Sequence, residues 1–302
     1  MGTSSLSEGV VVVGAGLMGT GIAHAFATAG HAVTLVDVSP GALEAATSTI
    51  RKILADGVRL SKLTDQDARA AIERVATSAD LAGSLAGRNI GLLLETVIES
   101  ITAKTGIVRE ADRLLPDEAL IATNTSALSV TEIAAATTRA DRVVGMHFFN
   151  PVHKMKLLEI VRGVATSDET IARARAWGES IGKTSILVNE SPGLTTSRMS
   201  ALMGNEAMYM LMEGTASAED IDTALRLGFN HPMGPLELGD LTGWDTRLAV
   251  LTYLHETLGE KFRPCPLIIK MVKAGRLGRK AGKGVYDYVD GQRVPGSGLS
   301  VR

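Results

Sequence analysis

The chain has 302 residues, 45% of them hydrophobic, with 31 Lys and Arg against 33 Asp and Glu and a formal charge of −2. That length favours two domains over a single core. The balanced charge removes the electrostatic warrant for binding nucleic acid or an anionic membrane surface, and no apolar run approaches the ~18 residues of a membrane span. Residues 1–9 lack the basic patch and apolar stretch of an export signal, and Leu6 stands where a myristoylation motif needs Ser or Thr. The single cysteine, Cys265, lies between Pro264 and Pro266 and reads as a packed thiol rather than half of a disulfide. The expectation is a cytoplasmic protein with no nucleic-acid or membrane partner.

In chain order, 10–13, 32–37, 90–97, 120–124, 142–147, 157–161 and 185–189 read as strands. Most are continuous apolar runs, as in a sheet covered on both faces. Helical spacing occupies 18–30, 41–55, 65–75, 105–115 and 169–182. The alternation predicts an α/β fold, a Rossmann-type doubly wound and mainly parallel sheet. Beyond Pro192 the strand pattern stops, and amphipathic segments at 193–213, 218–227, 235–258 and 265–274 predict a smaller all-helical domain. Ser191-Pro192-Gly193 breaks the last strand, so residues 1–189 are assigned to the first domain and 190–302 to the second. The Gly/Ser-rich tail, 291–302, is expected to be loose.

Gly14-Ala15-Gly16-Leu17-Met18-Gly19 follows an apolar strand and opens a helix, and Asp37 ends the next strand. Each glycine has a mechanical reason: Gly14 permits the tight turn, Gly16 admits a pyrophosphate to the main chain, and Gly19 lets the helix pack closely. The helix N-terminus supplies amide donors and the positive end of its dipole. Asp37 would accept from ribose hydroxyls and repel a 2′-phosphate, favouring NAD over NADP, while FAD shares the fingerprint.

A second group of residues lies further along. His147-Phe148-Phe149-Asn150-Pro151, Glu95-Thr96-Val97-Ile98-Glu99, Asn124-Thr125-Ser126, Met155-Lys156-Leu157-Leu158-Glu159, Asn230 to Glu237 and Gly278 to Gly284 accompany the glycine turn. With them the chain resembles the L-3-hydroxyacyl-CoA dehydrogenase family, most closely its bacterial 3-hydroxybutyryl-CoA dehydrogenases, over residues 8–289. The resemblance implies a Rossmann-type domain, a helical domain that forms a homodimer, and NAD-linked oxidation of a (3S)-hydroxyacyl-CoA thioester. It also implies that Leu17, Met18 and Asn150 border the cofactor and that Glu99 and Lys104 contact the nicotinamide ribose; solvated charge is the other reading of the last two. Lys52 is aligned with CoA phosphates, though a solvent-facing lysine fits equally. Ser100 departs from the family's Asn.

Chemistry supports the same residues. Oxidising a secondary alcohol needs a base for the hydroxyl proton, and His has an unperturbed pKa near 6.5. His147 ends a strand, where open α/β sheets place ligands. The resemblance pairs it with Glu159, which would fix the tautomer and stabilise the imidazolium. Ser126 aligns with a serine bonded to the substrate's 3-oxygen, whereas composition alone makes it a helix cap. Ser197 stands where the family has an Asn that holds the substrate carbonyl, and its shorter arm with one donor would reach that contact only through a shifted helix or a water.

Other patterns point elsewhere. The stretch Gly178 to Thr184 resembles a phosphate loop but follows a helix and precedes a strand, the reverse of the order that loop needs. His147 and His153 lack helical register or a Cys partner, so no metal is expected. The resemblance and the site chemistry together imply a dehydrogenase of short 3-hydroxyacyl-CoA thioesters. A dehydrogenase of free hydroxy or sugar acids and a non-catalytic NADH-binding homologue are the alternatives.

Overall fold

The structure is a computed structural model in which residues 8–300 are described. The segment 1–7, read above for targeting signals, and the last two residues of the tail lie outside them. The chain divides into two compact units, Met1–Ser191 and Pro192–Arg302.

The first unit alternates as the apolar pattern predicts. In chain order it runs β1 (Gly9–Val13), α1 (Leu17–Thr28), β2 (Val33–Val36), α2 (Pro40–Arg59), α3 (Asp65–Glu73), β3 (Val75–Ser78), α4 (Leu81–Leu85) and β4 (Ile90–Glu95). It continues with α5 (Ile101–Leu114), β5 (Leu120–Thr123), α6 (Val130–Ala134), β6 (Val143–Phe148), β7 (Leu157–Arg162), α7 (Asp168–Ser180) and β8 (Thr184–Asn189). One eight-stranded sheet has the order β3-β2-β1-β4-β5-β6-β7-β8. Every residue of β4, β5 and β6 is buried, which requires cover on both faces. All pairings are parallel except β6 with β7. The order reverses between β1 and β4, and such a switch point opens a crevice at the C-terminal strand ends.

Most helices start where the sequence supplies a cap. The hydroxyls of Ser39, Ser129 and Ser167 each accept an amide of the first turn, and Thr64 with Asp67 forms a reciprocal box. Within the first unit α1 is the exception, because its cap is Gly16 and no side chain serves it. The orphan amides of that turn are therefore left to a ligand.

The second unit comprises α8 (Thr196–Glu213), α9 (Ala218–Gly228), α10 (Pro235–Thr242), α11 (Trp244–Leu258) and α12 (Pro266–Lys273), then a small hairpin of β9 (Tyr288–Val289) and β10 (Gln292–Arg293). Among the described residues it is helical but for that hairpin and two isolated bridges at Lys283. The single helix expected over 235–258 is two, since Gly243 takes φ +94° between them. The tail expected to be loose is fastened as far as Leu299: its amide donates to the Val285 carbonyl at 2.8 Å, and the Gly298 amide to Glu219 Oε1 at 2.8 Å. Trp244, Leu251, Ile268 and Tyr286 lie in the unit's apolar core. Cys265 is buried there 3.9 Å from Met212 Sδ, and burial pushes its thiol up, which suits a packed group and not a nucleophile.

Candidate active site

The antiparallel return of β7 brings its first residues beside the end of β6. His147 and Glu159 are direct register partners in that ladder, so their side chains stand on one face of the sheet. His147 Nδ1 lies 2.7 Å from Glu159 Oε2, with His147 5% exposed and Glu159 fully buried. A buried carboxylate accepts, so the ring proton sits on Nδ1 and Nε2 keeps its lone pair. Ser126 Oγ lies 3.1 Å from that Nε2 and donates to it. Phe149 packs against the ring at 4.7 Å between centroids, and Asn124 Oδ1 accepts the Phe148 amide at 2.9 Å, fixing the end of β6.

Ser126 is on the turn after β5, and that turn wraps a carboxylate. Glu99 Oε1 accepts the Thr125 hydroxyl and the amides of Ser126 and Ala127, the amides at 3.1 and 3.2 Å. Glu99 Oε2 is 3.2 Å from Lys104 Nζ. Burial alone would raise the Glu99 carboxyl, but the Thr125 hydroxyl and Lys104 outweigh it and hold it below the ordinary value. Lys104 is 1% exposed and also donates to both oxygens of Glu95, at 3.0 and 3.1 Å, so it is not a solvated charge. Glu95 accepts the Thr123 hydroxyl at 2.8 Å and the Val97 amide at 2.6 Å. Burial raises its carboxyl against the pull of Lys104. Ser100 caps α5, its hydroxyl accepting the Ala103 amide at 3.5 Å.

At the β1–α1 turn, Gly14 has φ +102°, and a Cβ there would meet Thr96 Oγ1 at 2.9 Å. A Cβ on Gly19 would stand 1.8 Å from the Gly14 carbonyl oxygen, whereas one on Gly16 would meet nothing within 4 Å. The turn thus closes on itself at Gly14 and Gly19 and is open at Gly16, as a bound pyrophosphate requires. Asp37 Oδ2 accepts the Ala15 amide at 2.8 Å and Oδ1 the Ser39 amide at 2.9 Å, which holds the acid beside the turn. Leu17 is exposed, Met18 packs partly on the core, and a cavity of about 350 Å³ runs past Gly16, Leu17, Thr49, Ile53, Asn150 and His153. Lys52 is exposed on α2, the helix that lines this cavity.

Behind the turn, His24 of α1 is buried, its Nδ1 has no partner, and its ring meets that of His153 at 5.8 Å between centroids. Burial, then the His153 and Lys183 charges, pull its pKa down to about 4. A depressed histidine stays neutral when folded but charges when unfolded, so stability is fully present above pH 6.5 and is lost as pH falls toward 4. The expected loss is on the order of 3 kcal/mol. Urea titrations at pH 7 and pH 4.5 measure it, and His24→Leu should flatten the difference.

Ser197 belongs to the second unit, half-buried in the first turn of α8. The structure therefore brings His147, Glu159, Ser126, Glu99 and Lys104 into one constellation at the first unit's sheet edge, groups the glycines with Asp37 at its switch point, and leaves Ser197 on a separate element. Sequence reasoning missed two participants. Thr125 and Glu95 both lie in stretches that carry the resemblance, but neither was given a role: Thr125 stood only as the neighbour of Ser126, and Glu95 as the acid closing the apolar run Leu92-Leu93-Leu94.

A glycine turn at a sheet switch point, an acid after the second strand and a carboxylate-steered imidazole at the same sheet edge define a dinucleotide-dependent dehydrogenase. Residues 9–191 match the family model of the 3-hydroxyacyl-CoA dehydrogenase NAD binding domain, and residues 193–288 match that of the 3-hydroxyacyl-CoA dehydrogenase C-terminal domain. The chain belongs to the 3-hydroxyacyl-CoA dehydrogenase family. It is 45% identical over 280 residues to a probable 3-hydroxybutyryl-CoA dehydrogenase of Bacillus subtilis (strain 168), covering 92% of this chain and 96% of that one. It is 42% identical to the 3-hydroxybutyryl-CoA dehydrogenase of Bradyrhizobium diazoefficiens, covering 95% and 97%. The crystal structure of (S)-3-hydroxybutyryl-CoA dehydrogenase from Ralstonia eutropha superposes with a TM-score of 0.89 at 43% identity, covering 94% of this chain and 99% of that one.

Proposed function

We propose that the chain interconverts (3S)-3-hydroxyacyl-CoA and 3-oxoacyl-CoA thioesters with NAD, and that it prefers short chains such as 3-hydroxybutyryl-CoA and acetoacetyl-CoA. The observation that carries this reading is the hydrogen-bonded series Ser126 Oγ, His147 Nε2, His147 Nδ1 and Glu159 Oε2 at a dinucleotide-binding sheet edge. NAD, when bound, supplies the hydride acceptor; Gly14, Gly16, Leu17, Met18, Gly19 and Asp37 would hold it, with Asn150 bordering it. His147 Nε2 takes the proton of the substrate's 3-hydroxyl, and Glu159 holds the ring in that tautomer and stabilises the imidazolium. The Ser126 hydroxyl turns from Nε2 to the substrate oxygen. In the reducing direction His147 returns the proton to the same atom.

Ser197 is assigned to the substrate side, with the acyl-CoA thioester its partner, and Lys52 to the CoA phosphates. A homodimer is proposed through the second unit, supported by Leu227 and Phe229, which are 81% and 73% exposed at the end of α9. A reducing, cytoplasmic setting suits a lone buried thiol.

NADH oxidation with acetoacetyl-CoA, set against free acetoacetate, tests the reading. Turnover is expected with the thioester and about 10²-fold less with the acid, since truncated substrates lose the binding that supports the chemical step. Equal rates would sink the thioester assignment, and NADH binding without turnover would sink the enzyme. Ser197→Ala should then lower kcat/KM with acetoacetyl-CoA by about tenfold, the worth of one substrate hydrogen bond. An unchanged value would remove Ser197 from the substrate side.

A further inference from the structure

We propose that Glu99 is a positioning residue whose carboxylate, braced by the buried Lys104–Glu95 pair, fixes the Ser126 hydroxyl on His147 by gripping the turn 125–127. The inference rests on the function proposed above and deepens it.

Three consecutive residues give their donors to one oxygen. Glu99 Oε1 receives the Thr125 hydroxyl, the Ser126 amide at 3.1 Å and the Ala127 amide at 3.2 Å. A carboxylate oxygen has two lone pairs, so three donors saturate it and leave no capacity there for a cofactor hydroxyl. The role implied by the family resemblance, contact with the nicotinamide ribose, would thus fall to Oε2 alone. That oxygen faces Lys104 Nζ at 3.2 Å.

The grip is held rigidly from below. Lys104 comes from α5, and it bonds both oxygens of Glu95 at the end of β4 and the Val97 carbonyl at 3.3 Å. Glu95 in turn accepts the Thr123 hydroxyl at the end of β5. Two strands and a helix therefore converge on an ammonium that is 1% exposed, and the carboxylate above it inherits their rigidity. From this base the turn presents Ser126 Oγ at 3.1 Å from Nε2. Thr125 links the two parts twice, since its hydroxyl donates to Glu99 and accepts the Leu128 amide at 2.8 Å. The chemistry needs this because a hydroxyl displaced by about 1 Å from its working position costs up to 10²-fold in rate.

Thr125→Val and Thr125→Ser form the test, read as kcat at saturating acetoacetyl-CoA and NADH, with the NADH Kd from fluorescence titration. Val keeps the side-chain volume but cannot donate; kcat is expected to fall about tenfold while Kd stays within about twofold. Ser restores the donor and is expected to return kcat to within about threefold of the parent. A merely packed Thr125 would give the reverse ranking, because Ser leaves a void and Val does not. Parental kcat in the Val variant, equal impairment in both, or a defect lying wholly in Kd would overturn the proposal. If the Val variant does not fold, Glu99→Gln read by the same split decides: its amide confronts Lys104 and the donors of the turn, and a fall in kcat exceeding any fall in NADH affinity is expected, whereas a loss confined to NADH affinity would overturn the positioning role. A parent with no NADH oxidation sinks the function itself, whereas an active parent with an unaffected Val variant sinks only the positioning role.

Discussion

Replacing His147 with Gln should reduce kcat for acetoacetyl-CoA reduction by about 10³-fold and leave NADH affinity within about twofold, since a positioned acid–base group contributes roughly 10²–10⁴. Gln has a volume near that of His and still fills the place beside Phe149, but its amide cannot carry a proton to or from the substrate oxygen. Glu159→Gln should cost about 10²-fold or more, because an amide accepts from Nδ1 without stabilising the imidazolium and turns equally well to present its donors. The two losses are not independent: with the ring gone, removing its steering group has little left to impair, so the double variant should resemble His147→Gln alone. Stopped-flow and steady-state rates with saturating substrates measure all three. An additive double variant, or a His147→Gln enzyme near the parental rate, would assign the proton to another group.

The largest expected effect on stability lies in the second unit, at Asp240. Its Oδ1 accepts the Trp244 indole N–H at 2.6 Å and the Val285 amide at 2.8 Å, and its Oδ2 accepts the Tyr286 amide at 2.9 Å and the Tyr288 hydroxyl at 3.1 Å. One buried carboxylate so ties α10, α11 and the start of the hairpin together. A Cβ on Gly284 would stand 2.0 Å from Asp240 Oδ1, so the main chain comes as near as only glycine permits. Asp240→Ala would orphan an indole, two amides and a hydroxyl in a buried core, each worth about 1–3 kcal/mol. The expected loss is about 3 kcal/mol or more, read from the urea midpoint by tryptophan fluorescence. A loss under about 1 kcal/mol would mean that the hairpin is held by its apolar packing and not by this carboxylate.

Much of the first unit was legible because parallel strands buried on both faces must be continuously apolar. Val10 to Val13 and Leu92 to Leu94 admit few other readings. β3 was not legible, since Val75-Ala76-Thr77-Ser78 is short and lies at the sheet edge with no apolar run to mark it. The five-residue α4 and α6 are too short to show a helical period. Gly243 carries the break between α10 and α11, yet an isolated glycine in an amphipathic pattern reads as a tolerated one. The tail misled through composition: its glycines and serines signal mobility, while Ser297 Oγ, accepting the Asp287 amide at 3.0 Å, ties it down.

In the site, the chemistry was legible and the geometry was not. A histidine at a strand end with an acid two strands' length away suggests a pair only if the next strand runs backward, and nothing in 149–156 states that direction. Lys104 read as either a ribose contact or a solvated charge because its partners, Glu95 and Glu99, precede it on another element. The bonds of Thr125 and Thr123 to those acids cross from one strand end to the next, and periodicity within a segment says nothing about contacts between segments.

The pairing of His147 with Glu159 is written in the β6–β7 ladder, not in the connection between the strands. Side chains on a strand alternate, so a one-residue slip would turn Glu159 to the opposite face and strand the imidazole. Residues 150–156 are thus released from setting that register, and Asn150 and His153 border the cavity beside the glycine turn, so changes there should alter what the cavity holds before they disturb the pairing of His147 with Glu159.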